Sequence, residues 1–204
     1  MERYIDAGSL DQRLELLELK ETAENTWEWV SAGRLWAAVT LDGGRNLFST
    51  VGIGARNAKL VLRRRPLTLH QALRWKGQHL YLTSVTQRDR THLDVQAALV
   101  TVVTCVAQRY ATGMGQGNRP VKRELPPQTF PGVLTEKYVR YEQEDTYAKT
   151  SRCLVLVTPK AVTLKEGDLV TVKEGPATAV YNVQACHVLD EFKNEYEILF
   201  SRDV

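Results

Sequence analysis

Residues Ala58 to Thr101 read AKLVLRRRPLTLHQALRWKGQHLYLTSVTQRDRTHLDVQAALVT. Leu60-Val61-Leu62 is an apolar, strand-like run, Pro66 opens a loop, and Lys76-Gly77 has the composition of a tight turn. After the turn, Leu80, Leu82 and Val85 sit in a β-rich run, and the polar Gln87 to Arg90 turn leads into a last strand over Leu93 to Val106. Short strands separated by Gly and Asp turns suit a small antiparallel barrel or sandwich, because each strand buries only one face. The stretch predicts the closing half of a barrel.

Upstream, Gly33 to Leu41 alternates cleanly, with Leu35, Ala37, Val39 and Leu41 on one side and Trp36, Ala38 and Thr40 on the other, which predicts a strand. The segment before it is ambiguous. Ser9 to Gln12 has the form of a capping box, and Leu10, Leu14 and Leu17 recur at helical spacing, whereas Leu14, Leu16 and Leu19 suit a strand. Residues 42 to 57, DGGRNLFSTVGIGARN, are rich in glycine and carry the pair Leu47-Phe48, so they predict a protruding loop.

Downstream, ATGMGQGNRPVKRELPPQTFPG (Ala111 to Gly132) reads as a flexible, proline-interrupted linker over 111–130. Strand patterning then resumes: Val133 to Tyr141, Cys153 to Val157, a Leu164 to Asp168 turn, Leu169 to Val172, Ala177 to Val188 and Tyr196 to Ser201. AKLVLRRRPLTL…WKGQHLYLTSV and CLVLVTPKAVTL…KEGPATAVYNV share an order: an LVL strand, a proline-marked loop, a Gly turn, and a strand ending in Ser-Val or Asn-Val. The second half is a weak internal repeat of the first. The expected fold is all-β: two small antiparallel β-barrel or sandwich domains in tandem, 1–110 and 131–204, joined by a Gly/Pro-rich linker.

The chain has 204 residues, 43% hydrophobic and 25% charged, which is room for one large or two small domains of ordinary composition. No apolar run approaches the roughly 20 residues that cross a bilayer, and MERYIDAGSLDQ lacks a signal-peptide pattern, so no membrane partner is expected and synthesis in the cytoplasm is. The net charge of +3 is unevenly distributed. Residues 2 to 28 carry eight acids against three bases, 34 to 90 eleven bases against Asp42 and Asp89, and the part beyond 132 nine bases against twelve acids. Such polarity suits a subunit that meets different partners at its two ends.

Catalytic chemistry finds no support. His70, His79, His92 and His187 are scattered without HxxxH, HExxH or CxxC spacing, so no metal site is expected. Cys186-His187 would point to opposite faces of a strand, and the glycines of DGG and GIGAR lack the phosphate-binding form GxxxxGK[ST]. Cys105, Cys153 and Cys186 lie in apolar runs and read as buried reduced thiols. No catalytic residue and no cofactor are expected.

The order of a β-run at Arg13 to Leu19, a turn with Trp27 and Trp29, GRLWAAVTLDGGRNLF, KLVLRRR and LRWKGQHLYLTSVTQ resembles the small head-completion proteins of tailed bacteriophages, also called head-closure, head–tail joining or neck proteins. Trp75, Gly77, Tyr81, Leu82 and Val85 fill that family's turn-and-strand positions, and the resemblance covers roughly residues 9 to 102. It favours a strand for Arg13 to Leu19. LVLVTPKAVTLKEGDLVTV and AVYNV resemble, more loosely, the barrel of phage tail-attachment proteins. A typical family member is a single domain of about half this length, so the tandem arrangement departs from the pattern.

The resemblance implies a virion neck protein that assembles as a ring homo-oligomer of about six or twelve copies. The ring lies beneath portal or adaptor proteins, closes the DNA exit channel and offers a surface to tail proteins. On that basis Arg45, Leu47, Phe48 and Arg56 are candidate oligomer-interface residues of the 42–57 loop, and Lys59, Arg63, Arg64 and Arg65 are candidate contacts to the portal or, non-specifically, to packaged DNA. A second reading is a tandem OB/SH3-like nucleic-acid-binding module, suggested by basic residues mixed with Trp75, Tyr81 and Phe48.

Overall fold

A computed structural model describes residues 9–41, 56–114, 119–136, 153–175 and 177–203. Within these the secondary structure is β throughout, as expected. The chain divides into two units, one running to Lys20 and from Trp29 to Thr101, the other comprising Glu21–Glu28 and Val102–Val204.

Unit 1 is built from β1 (Gln12–Ala23), β2 (Thr26–Leu41), β3 (Arg56–Arg63), β4 (Ala72–Trp75), β5 (Gln78–Gln87) and β6 (His92–Val100). Their order is β1-β4-β5-β6-β3-β2, and the β1–β2 pairing closes the ring into a six-stranded barrel. Closure leaves no free sheet edge. Inward positions come from alternation: Leu14 and Leu16 on β1, Leu35 and Ala37 on β2, Ala58, Leu60 and Leu62 on β3. Leu17 is buried too, on the other face of β1, and pairs with Ala72. Burial on both faces is why the leucines of this strand also fit a helical period.

The β4–β5 hairpin turns at Lys76 (φ 50°) and Gly77 (φ 81°). Two successive positive φ angles give the hairpin turn whose twist matches that of the flanking strands, and glycine takes the second position without a Cβ penalty. On β5 the register shifts between Leu82 and Ser84. This bulge moves the inward face by one residue, so that Leu80 and Leu82 are followed by Val85 rather than Ser84 against the core.

Unit 2 repeats the plan. Its strands are β7 (Val103–Gln108), β10 (Gln128–Glu136), β11 (Cys153–Pro159), β12 (Leu169–Glu174), β13 (Ala177–His187) and β14 (Lys193–Asp203), in the order β7-β12-β13-β14-β11-β10, closed by β10–β7. Replacing β1 to β6 by β7, β10, β11, β12, β13 and β14 reproduces the strand order of unit 1. The repeat of LVL strand, Gly turn and long strand is therefore a repeat of barrels. Phe130, Leu156, Val170, Val172, Tyr196 and Ile198 fill the second core, and Trp27 from the β1–β2 tip packs against it.

Three expectations need correction. The strand expected over Leu93 to Val106 is two strands in different barrels, parted at Thr101-Val102, because the apolar run continues unbroken across the change. The first domain ends at Thr101 rather than at 110. The expected 111–130 linker holds a paired ribbon, β8 (Tyr110–Met114) with β9 (Pro120–Glu124), and the start of β10, so the second barrel begins at β7. Pro126 and Pro127 only separate β9 from β10.

Gly132 on β10 packs against the second core with no space for a side chain. A Cβ there would lie 2.7 Å from Leu156 Cδ1 and 3.0 Å from Cys105 Sγ, both on fully buried residues. Gly132→Ala is expected to destabilise the protein by about 2 kcal/mol through overpacking. A denaturation midpoint equal to wild type would show that the two side chains move aside freely.

Candidate interaction site

β3 leaves the first barrel carrying three arginines. The strand ends at Arg63; Arg63 and Arg64 are exposed and Arg65 is half-buried. The backbone beyond the strand is held by Arg64 N–H donating to Thr91 O at 2.7 Å. Thr91 is itself fixed by Asp89, whose Oδ1 accepts from the N–H of Thr91 (2.6 Å) and of His92 (2.7 Å) and from the Thr91 hydroxyl (2.9 Å). The Thr91 backbone donor, foremost among these bonds, holds the Asp89 carboxyl down at about 2. A charged turn therefore anchors the arginine rim near neutral pH.

Arg63, Arg64 and Arg65 line an open cleft of about 610 Å³ together with Leu10, Leu35, Trp36 and Leu62. The leucines form an apolar floor, each less than a tenth exposed, while Trp36 stands 57% exposed at the side. Arg65 Nε is buried without a hydrogen-bond partner among the described residues. Guanidinium groups beside an exposed indole can bind carboxylates or phosphates and stack on a flat partner. The arrangement offers recognition and no nucleophile or base pair.

The other expected residues fall elsewhere. Arg45, Leu47 and Phe48 lie outside the described residues. Arg56 is exposed at the opposite end of β3, about 23 Å of strand from Arg63. Lys59 is exposed between them, on the outer face with Arg63 and paired across to Thr40 and Gln96. The structure thus brings together only the arginine triplet. Of the aromatics proposed for base stacking, Tyr81 is buried and Trp75 packs against the first core with its Nε1 donating to Gln12 Oε1 (3.2 Å). Trp36, beside the triplet, is exposed instead, and its outward parity on β2 was the available signal.

Cys105 is buried, and burial pushes its thiol up to about 12, an unreactive state. Cys186 is only half-buried, against expectation, and lies 3.8 Å from Leu164 O, while His187 turns outward to Glu197 Oε1 at 3.1 Å. Among the described residues no group of three His, Cys, Asp or Glu side chains could hold a metal ion.

Comparison with known proteins adds little to this geometry. No family model and no curated protein matches the chain. A solved chain described as "Virion of native gene transfer agent (GTA) particle" is similar over 44% of this chain and 94% of its own, at 23% identity and a TM-score of 0.37.

Proposed function

We propose that this chain is a structural virion protein of the neck, forming a ring between portal or adaptor and tail, closing the DNA exit channel and offering the surface on which the tail docks. One observation carries the reading. The stretch resembling head-completion proteins, residues 9 to 102, contains one closed barrel that ends at Thr101, with only Glu21–Glu28 of the stretch assigned to the second unit. The resemblance therefore follows a folding unit and not a scatter of apolar positions. The gene-transfer-agent chain, at a TM-score of 0.37, carries no part of the argument.

A duplicated barrel suits the task, because two scaffolds of one design present different outer faces to the partners above and below. The rim of Arg63, Arg64 and Arg65 meets the portal-side ring or the DNA phosphates, where many weak contacts exchange without regard to sequence. Arg45, Leu47 and Phe48 contact the neighbouring subunit, as does Arg56, the exposed first residue of β3. The protein is made in the host cytoplasm and resides in the particle.

Replacing all three arginines by Gln is expected to leave the thermal midpoint nearly unchanged, since exposed charges add little stability. Assembly onto particles should weaken, and the deficit should shrink as salt rises and screens the contact. Wild-type assembly of the triple variant at low salt would remove these arginines from the interface. Trp36 beside the triplet favours one alternative, a nucleic-acid-binding module. Tight binding of a labelled single-stranded oligonucleotide, lost in Trp36→Ala, would decide for it.

A further inference from the structure

The arginine cleft lies wholly within unit 1, and the described acids of that unit are engaged elsewhere. They are Asp11, Glu15, Glu18, Asp89 and Asp94. Glu15 accepts from Arg74 at 3.1 Å, Asp94 from Arg88 at 3.1 Å, Glu18 from Gln71 Nε2 at 3.1 Å, and Asp89 from the Thr91-His92 turn. Asp11 stands exposed beside Leu10 and accepts from Gln12 Nε2 at 3.1 Å.

Arg34, exposed on the same face of β2 as Trp36, adds a further positive charge. Glu15, already bonded to Arg74, also senses that charge. Among the described residues that line the cleft or adjoin its lining along the chain, the charges are thus Arg34 and Arg63 to Arg65 against Asp11. The cleft calls for an acidic occupant.

Three features say which kind of acid fits. The first barrel is closed, so a partner cannot add as a strand and docks through side chains. Arg65 Nε, buried without a hydrogen-bond partner among the described residues, calls for an acceptor brought into the cleft rather than laid across its rim. The floor is leucine and the wall is Trp36, surfaces that a hydrated phosphate chain leaves unused and an aliphatic side chain fills. An apolar pocket ringed by Trp and Arg has the make-up of a protein-binding hot spot. Its volume of about 610 Å³ holds a large side chain with the backbone that carries it.

We propose that this cleft binds an acidic protein segment of the portal-side ring, with an apolar side chain seated on Leu10, Leu35 and Leu62 beside Trp36 and flanking carboxylates held by the arginines. Guanidinium forks match carboxylates in two-bond geometry, so the charges fix orientation while the apolar residue supplies the anchor. The inference deepens the neck reading and rests on it for the protein that supplies the segment, but not for the chemistry of the segment.

The test titrates the full chain with three probes, following the indole N–H resonance of Trp36, assigned by its loss in Trp36→Phe. The probes are a capped peptide EDLDE, its counterpart EDADE and a short oligothymidylate. EDLDE should shift the resonance saturably, and EDADE should bind about tenfold or more weakly because it lacks the anchor. Arg63→Gln combined with Arg64→Gln should weaken EDLDE by a similar factor and keep the melting midpoint, since both side chains are exposed. No saturable shift with EDLDE, equal binding of EDADE, or a double variant that binds like wild type would overturn the proposal. Oligothymidylate binding more tightly than EDLDE would overturn it in favour of nucleic acid. A chain that binds EDLDE yet is missing from the particle neck would sink the neck reading and leave this one standing, and a neck component indifferent to EDLDE would do the reverse.

Discussion

Arg109→Ala is expected to destabilise the second barrel by about 3 kcal/mol, as the removal of one partner from a buried ion pair does. Asp168 is 5% exposed and accepts from Arg109 Nε at 3.0 Å and Nη2 at 2.7 Å, while Lys165 N–H donates to it at 2.8 Å. Arg109 Nη2 also donates to Thr163 O at 3.1 Å. Without the guanidinium, a nearly buried carboxylate keeps one backbone donor and loses its countercharge. The effect sits at the lower end of the usual range because Arg109 is itself 32% exposed. Arg109→Lys keeps the charge and loses the fork, so it should fall between the two. Equal urea midpoints for Arg109→Ala and wild type would show that water replaces the pair without loss.

Acidification should cost a similar amount through His79. The ring is buried against Trp29 at 5.2 Å between centroids, its Nε2 has no hydrogen-bond partner among the described residues, and burial, aided by the Arg74 charge, lowers its pKa to about 4. The unfolded chain takes up a proton near 6.5 and the folded one only near 4, so between these values the unfolded state binds more protons and stability falls with pH. The stability is complete above about 6.5, and about 3 kcal/mol is lost by about pH 4. Asp89, with its carboxyl held at about 2, also loses stability as pH falls, but in a lower window, between its ordinary 3.8 and 2. His79→Leu should flatten the pH 6.5 to 4 slope and leave the lower one. An unchanged slope in that variant would show that another group titrates there.

The parts of the fold that were legible are those written in local signals. Lys76-Gly77 announces its turn because two positive φ angles demand particular residues, and the LVL repeat announces two barrels because each must bury the same face. Leu16 and Leu17 obscured β1, since adjacent buried residues belong to neither simple period. The barrel boundary was hidden because AALVTVVTCVA stays apolar while the chain passes from β6 to β7. Glycine and proline between 113 and 131 mark where regular structure is interrupted but say nothing about pairing, so a ribbon looked like a linker. At the arginine rim the charges were legible, whereas the apolar floor from Leu10 and Leu35 was not, because only the barrel brings those strands to Arg64. The Arg109–Asp168 pair joins residues 59 apart and has no local signature.

The neck assignment is tested most directly by imaging the particles whose genome encodes this chain at a resolution that separates β-barrels. The account predicts a ring between portal and tail in which each subunit contributes two six-stranded barrels, with Arg63 to Arg65 facing the portal or the channel. Finding the chain elsewhere in the particle, or missing from particles that are complete and infectious, would contradict it.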